Sequence, residues 1–283
     1  MIDIGSAPAK ETETMNPIPE PMTAETIQQE LARIEREQNV SILYAVESGS
    51  RAWGFASRDS DYDVRFIYLH PLEWYLSIGK QRDVIECPVS GQLDISGWDL
   101  RKALSLFRKS NPPLLEWLGS PTVYLDRLIL AERLRNLMRE SFSPVSCLYH
   151  YLHMAQGNYR EYLRSDTVRV KKYFYVLRPI LACSWIEKYR TMPPTEFARL
   201  YADTKLAPSL CMAIDELLSR KMAGDELEMG PRIAVLNDYL DEQIEYFSTF
   251  VAGVARGEVD SVKLDRLFIE MLADAWPNQP VFR

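Results

Sequence analysis

Gly49-Ser-Arg-Ala-Trp-Gly-Phe-Ala-Ser-Arg-Asp-Ser-Asp-Tyr-Asp-Val-Arg65 carries the most information in this chain. Before it, Ser41 to Glu47 is short and apolar at its centre, which reads as a strand. Gly49-Ser50 then turns the chain, and Asp61 and Asp63 open a second strand that runs over Val64 to Leu69. On a strand, residues two apart point the same way, so Asp61 and Asp63 face one side and Tyr62 and Val64 the other. Like charges that close repel unless a cation or a base neutralises them. Mg2+ (or Mn2+) suits the pair, because it prefers hard oxygen ligands and joins a few carboxylates to substrate phosphates.

Working outward, Asp94 lies in Gln92-Leu93-Asp94-Ile95, where Leu93 and Ile95 would face the core and Asp94 the site. Three carboxylates suffice for two metals in an in-line displacement at phosphorus, with Asp94 the ligand or base on the acceptor side. A glycine lets the backbone approach a ligand closely, and Ser50 adds a hydroxyl donor for a phosphate. Arg51 either neutralises phosphate or braces an acid. Arg65 shares the face of Asp61 and Asp63 and either balances them or touches the α-phosphate. Taken alone, each element has a plainer reading: an acid-rich solvated turn, or an ordinary Gly-Ser turn. The turn is not a Walker loop, since no Gly-Lys-Ser/Thr follows.

The rest of the chain organises around this head. Residues 1–21, interrupted by four prolines, read as a disordered leader. A helix is expected from Thr23 to Gln38, with Ile27, Leu31 and Ile34 on one face. Short strands are expected at Arg82 to Glu86 and Gln92 to Ile95, and Asp99 is placed to cap a helix over Leu100 to Lys109 after a turn at Gly97. A helical turn or two at Leu114 to Leu118, an edge strand at Val123 to Leu125 and a helix over Arg127 to Arg139 complete the first half. From Pro144 strand signals vanish, and helices are expected at 144–163, 168–189, 194–201, 208–223, 231–251 and 261–275. The fold class is therefore α+β: an α/β head over residues 22–140 with a small mixed sheet, then a helical bundle over 141–283.

In the second half, Lys171, Tyr175 and Arg178 fall at i, i+4 and i+7 and share a helix face, which would reach a triphosphate with its cations and stack a base with its tyrosine. Lys172 lies round the helix from them. The plainer reading is a solvated helix face. Gly157 and Asn158 are both poor helix formers, and a close helix crossing or a ligand role for Asn158 would account for them. Trp98 and Trp117 read as core, whereas Trp53 follows the phosphate turn directly.

Bulk properties narrow the classes. The net charge of −7 disfavours a long duplex held through phosphate contacts. No apolar run is long enough to span a membrane, and the N-terminus lacks the pattern of a secretory signal. Cys87, Cys147, Cys183 and Cys211 form no Cys-x-x-Cys pair, so a reducing, cytoplasmic setting is expected. His70, His150 and His153 are too few and too poorly placed for a zinc site or a histidine-rich phosphohydrolase.

Gly49-Ser50, a spacer of ten residues, Asp61-x-Asp63 and then Asp94 resemble the DNA polymerase beta-like nucleotidyltransferase superfamily. More narrowly, 49–65, Asp94-Ile-Ser-Gly-Trp-Asp-Leu-Arg-Lys-Ala-Leu104, Lys109-Ser-Asn-Pro-Pro113, Leu115-Glu-Trp117, Gly157-Asn-Tyr-Arg160 and Lys171-Lys-Tyr-Phe-Tyr-Val-Leu-Arg-Pro179 resemble bacterial and phage members associated by name with RNA repair. The resemblance spans about 26–250. It implies that Gly49 and Ser50 hold phosphate, Asp61 and Asp63 bind metal, and Asp94 is the third acid. It also implies a nucleoside triphosphate donor, ATP being favoured. The acceptor hydroxyl stays open among an RNA end, a small alcohol and a protein side chain. A non-catalytic nucleotide-binding or toxin–antitoxin-type protein is the alternative, and a homo-oligomer is compatible with either.

Overall fold

The computed structural model describes residues 22–225, 227–251 and 261–277. The expected leader, 1–21, lies outside them. The chain runs α1 (Ala24–Gln38), β1 (Ser41–Glu47), α2 (Gly49–Trp53), β2 (Tyr62–Leu69), α3 (Leu72–Tyr75), β3 (Val84–Glu86), β4 (Leu93–Asp99), α4 (Leu100–Arg108), α5 (Pro112–Leu118), β5 (Val123–Asp126) and α6 (Leu130–Ser141). Then follow α7 (Pro144–Tyr162), β6 (Thr167–Arg169), α8 (Lys172–Tyr189), α9 (Phe197–Asp203), α10 (Pro208–Met222), β7 (Met229–Pro231), α11 (Ala234–Val251) and α12 (Ser261–Ala275). This is the α+β arrangement expected, a mixed sheet followed by a helical bundle. No helix among the described residues is long and apolar enough to cross a membrane.

Five strands form one sheet in the order β3-β4-β2-β1-β5. The β2–β4 pair is parallel and the others are antiparallel. One face is covered by α1 through Ile27, Leu31 and Ile34, which pack with Ile42, Val64, Phe66 and Ile95. Thr23 caps α1 by accepting from Thr26 N, and the left-handed Asn39 ends it. The other face joins a larger cluster that runs from Leu43 and Ile67 on the sheet to Leu177 on α8 and Met271 on α12. The sheet and the helices are thus held by one continuous apolar interior.

Four local expectations need correction. Gly97 is not in a turn but inside β4, where a β-carbon would lie 2.2 Å from the Phe66 ring, so the glycine makes room for that ring. The helix expected from Arg127 starts at Leu130, because Leu128 and Ile129 take left-handed backbone conformations (φ 55° and 49°). Strands do not vanish after Pro144: β6 and β7 pair antiparallel where helix starts were expected. A β-carbon on Gly230 would meet Val170 Cγ2 at 2.8 Å, so the glycine makes room for that side chain. Finally, Gly157 has nothing within 4 Å of its β-carbon position, and Asn158 Nδ2 donates to Met154 O at 3.0 Å. Among the described residues nothing presses on Gly157, so the glycine does not relieve a helix crossing.

Candidate active site

The turn after β1 and the acid pair at the start of β2 are built as one unit. Gly49 has φ +58°, and a β-carbon there would lie 1.9 Å from Asp63 Oδ2. Ser48 N donates to Asp63 O at 2.8 Å, and Asp63 N donates to Glu47 Oε1 at 2.8 Å. Glu47 is 2% exposed, and its second oxygen accepts from the Tyr124 hydroxyl. A carboxylate buried in an apolar strand is a costly placement unless hydrogen-bonded. Glu47 was visible in the sequence as the one acid in that strand, yet its role in fixing Asp63 needs the β1–β2 pairing.

Ser50, Asp61 and Asp63 line a cavity of about 390 Å³. Its other wall brings Lys171, Phe174 and Tyr175, with Lys221, Asp225 and Glu228 from the end of α10 and the segment beyond it. Trp53 and Phe55 contribute from the head; Phe55 stacks on Phe174 with ring centres 4.7 Å apart, and Trp53 meets Tyr175 edge-on at 5.5 Å. A larger groove of about 590 Å³ lies between α6 and α12, where Arg133 pairs with Glu270 and Lys263 with Glu140.

Parallel register sets Asp94 directly beside Asp63. Arg65 Nη2 donates to Asp63 Oδ1 at 3.2 Å and to Asp94 Oδ2 at 2.8 Å, and its Nη1 donates to the Val64 and Asp94 carbonyls. Arg65 therefore balances acids. Burial pushes the Asp63 carboxyl above its ordinary value; Arg65 opposes that shift, and Asp94 and Asp61 add to it. Among the described residues no group of three or more His, Cys, Asp or Glu side chains is gathered into a cation cage.

Arg51 contacts the acid segment through backbone carbonyls. It donates to Ser60 O at 2.7 Å and Asp61 O at 3.1 Å, and its guanidinium lies 3.6 Å from the Tyr62 ring centre. It ties the 54–60 loop to the start of β2. Lys171 precedes the first turn of α8, with Nζ 3.9 Å from Glu228 Oε1. Burial first, then Asp63 and Asp61, push the Tyr175 phenol up.

Arg178 does not share that face: it is 1% exposed and donates to Glu116 Oε1 at 2.7 Å and to Thr195 O. A helix that is buried nearly all round turns its i+7 cation into the interior. Lys172 sits between two rings, 4.4 Å from Tyr162 and 4.5 Å from Tyr175, and Arg169 lies 5.8 Å from Tyr162. Trp98 and Trp117 stack on each other at 4.0 Å, as core residues. Sequence reading missed Lys221, which reaches the cavity from α10 and has no local signature.

A mixed sheet whose parallel pair sets two aspartates side by side behind a Gly-Ser turn is the arrangement of the polymerase beta-type nucleotidyltransferases. Within that class the chain belongs to the RlaP family, the RNA repair pathway DNA polymerase beta family, whose model matches residues 23–270. It is 50% identical over 250 residues to uncharacterized protein YcgL of Bacillus subtilis (strain 168), covering 88% of this chain and 96% of that one. A crystal structure of a nucleotidyltransferase-like protein from Exiguobacterium sibiricum 255-15 aligns over 89% of this chain and 91% of its own, at 13% identity. Its TM-score is 0.28.

Proposed function

We propose that the protein moves a nucleoside monophosphate from a nucleoside triphosphate, ATP being favoured, to an acceptor hydroxyl. The acceptor oxygen would form a bond to the α-phosphorus, the bond to the departing pyrophosphate would break, and the hydroxyl proton would pass to Asp94. The observation that carries this reading is one cavity lined by Ser50 and the Asp61–Asp63 pair on one wall and by Lys171 and Tyr175 on the other. Asp61 and Asp63 offer the hard oxygens that Mg2+ or Mn2+ takes together with substrate phosphates, so the donor set fits a divalent ion. Such an ion, when bound, supplies charge neutralisation at the phosphates. Gly49 and Ser50 receive the phosphates, Arg51 holds the loop that joins them to the acids, and Arg65 offsets the repulsion between Asp63 and Asp94. Residues 22–140 would carry the chemistry and the helices beyond them the far wall.

Of the three acceptor classes, an RNA end fits best with Arg169 and Lys172, which lie over tyrosine rings. A cation on an aromatic face keeps its charge for an incoming phosphate. The four cysteines are free thiols, which suits a cytoplasmic protein. The Arg65 bridge between Asp63 and Asp94 supports a second reading, nucleotide binding without transfer.

The test is transfer of label from each α-labelled triphosphate, with Mg2+ or Mn2+, into separate pools of RNA, protein and small alcohols. Asp61→Ala and Asp63→Ala are each expected to lower transfer by at least about a hundredfold. Transfer that persists in both variants refutes the mechanism; triphosphate binding with no transfer into any pool supports the second reading.

A further inference from the structure

Two lysines line the cavity, and their surroundings differ. Lys171 Nζ faces Glu228 at 3.9 Å. Lys221 Nζ lies 3.4 Å from Ser57 Oγ and, among the described residues, forms no ion pair. Ser57 is 7% exposed and its hydroxyl is 3.0 Å from Ser60 Oγ. Both serines sit in the loop between Ser50 and Asp61, and both line the cavity. Lys221 thus reaches across from the last turn of α10 to the stretch that joins the phosphate turn to the acid pair.

The cavity also presents Asp59, Asp61, Asp63, Asp225 and Glu228. A divalent ion on Asp61 and Asp63 would offset part of that wall, and Asp59, Asp225 and Glu228 leave further negative charge for a protein cation to offset. Lys171 meets that need only in part, whereas Lys221 contacts a neutral hydroxyl. A primary ammonium beside hydroxyl groups at a cavity wall has both charge and donors available for phosphate oxygens.

We propose that Lys221, with Ser57, holds the terminal phosphates of the donor and sets the preference for a triphosphate over shorter phosphates. The assignment rests on the nucleotidyl-transfer reading and moves the main phosphate cation from Lys171, where the sequence pattern puts it, to a helix fifty residues further on. A competing role exists, because a lysine in the last turn of a helix also offsets the helix dipole.

Equilibrium binding of ATP, ADP and AMP in Mg2+ to the full chain separates these. Lys221→Met is expected to weaken ATP on the order of tenfold while changing AMP less than about twofold, and Lys221→Arg to keep most of the ATP affinity. Unchanged ATP binding by Lys221→Met overturns the assignment alone. An equal loss of ATP and AMP overturns it too, in favour of a structural role. Absence of ATP binding by the unaltered protein removes the donor reading and this assignment together.

Discussion

At Gly49 the backbone is left-handed and the Asp63 carboxylate occupies the place where a β-carbon would project. Any side chain there must push Asp63 off its position or unwind the turn. Gly49→Ala is therefore expected to lower stability by about 1–3 kcal/mol, read by urea unfolding, and to weaken triphosphate binding. Gly54 supplies the control: it is also left-handed, φ +88°, but has nothing within 4 Å of its β-carbon position. Gly54→Ala should show only the conformational cost and leave nucleotide affinity nearly intact. The same scale explains Arg65. The sequence left it between the acids and a phosphate, and in the structure it contacts two carboxylates, Asp63 and Asp94.

At the scale of elements, α5 and α8 are joined by a buried ion pair. Arg178 bonds Glu116, whose Oε1 also accepts from Tyr151 at 2.6 Å, and the Arg178 guanidinium lies 4.9 Å from the Trp53 ring centre. Glu116→Gln leaves the arginine buried without its charge partner, which typically costs about 3–5 kcal/mol. A fall in the urea midpoint by a corresponding amount is expected. The double variant Glu116→Gln/Arg178→Met should recover part of that loss, because it removes the stranded charge as well. Equal and additive losses would show that the pair is not the joint described here. The β6–β7 ribbon belongs to this scale too: each strand has three residues, too few for a periodic signal, and only their mutual pairing makes them strands.

For the whole molecule, the apolar interior shared by the sheet and the helices predicts cooperative behaviour. Far-ultraviolet circular dichroism and tryptophan fluorescence should follow one coincident unfolding transition. A chain cut after residue 140 should fail to fold, since α5 would lose α7 and the sheet would lose the helical part of the apolar cluster it belongs to. Two separated transitions, or a folded fragment, would count against a shared core.

The extent of the fold legible in the chain follows from the range of the forces involved. Alternation and helical spacing are local, so α1, the strands β1 and β2 and the long helices could be read directly. The Gly-Ser turn and the Asp61–Asp63 pair were equally legible, because steric freedom at glycine and the two-residue strand period belong to neighbouring residues. What lay beyond reading depended on residues far apart in sequence: the register that sets Asp94 beside Asp63, the Phe66 ring that turns Gly97 into a strand residue, the burial that takes Arg178 out of the cavity and the reach of Lys221 from α10. The sequence by itself determined the class of protein and the place of its Gly-Ser turn and acid pair in the fold. Only the tertiary structure decided which cations face the cavity, because a charged side chain on a helix points to solvent, a partner or a ligand according to what packs against that helix.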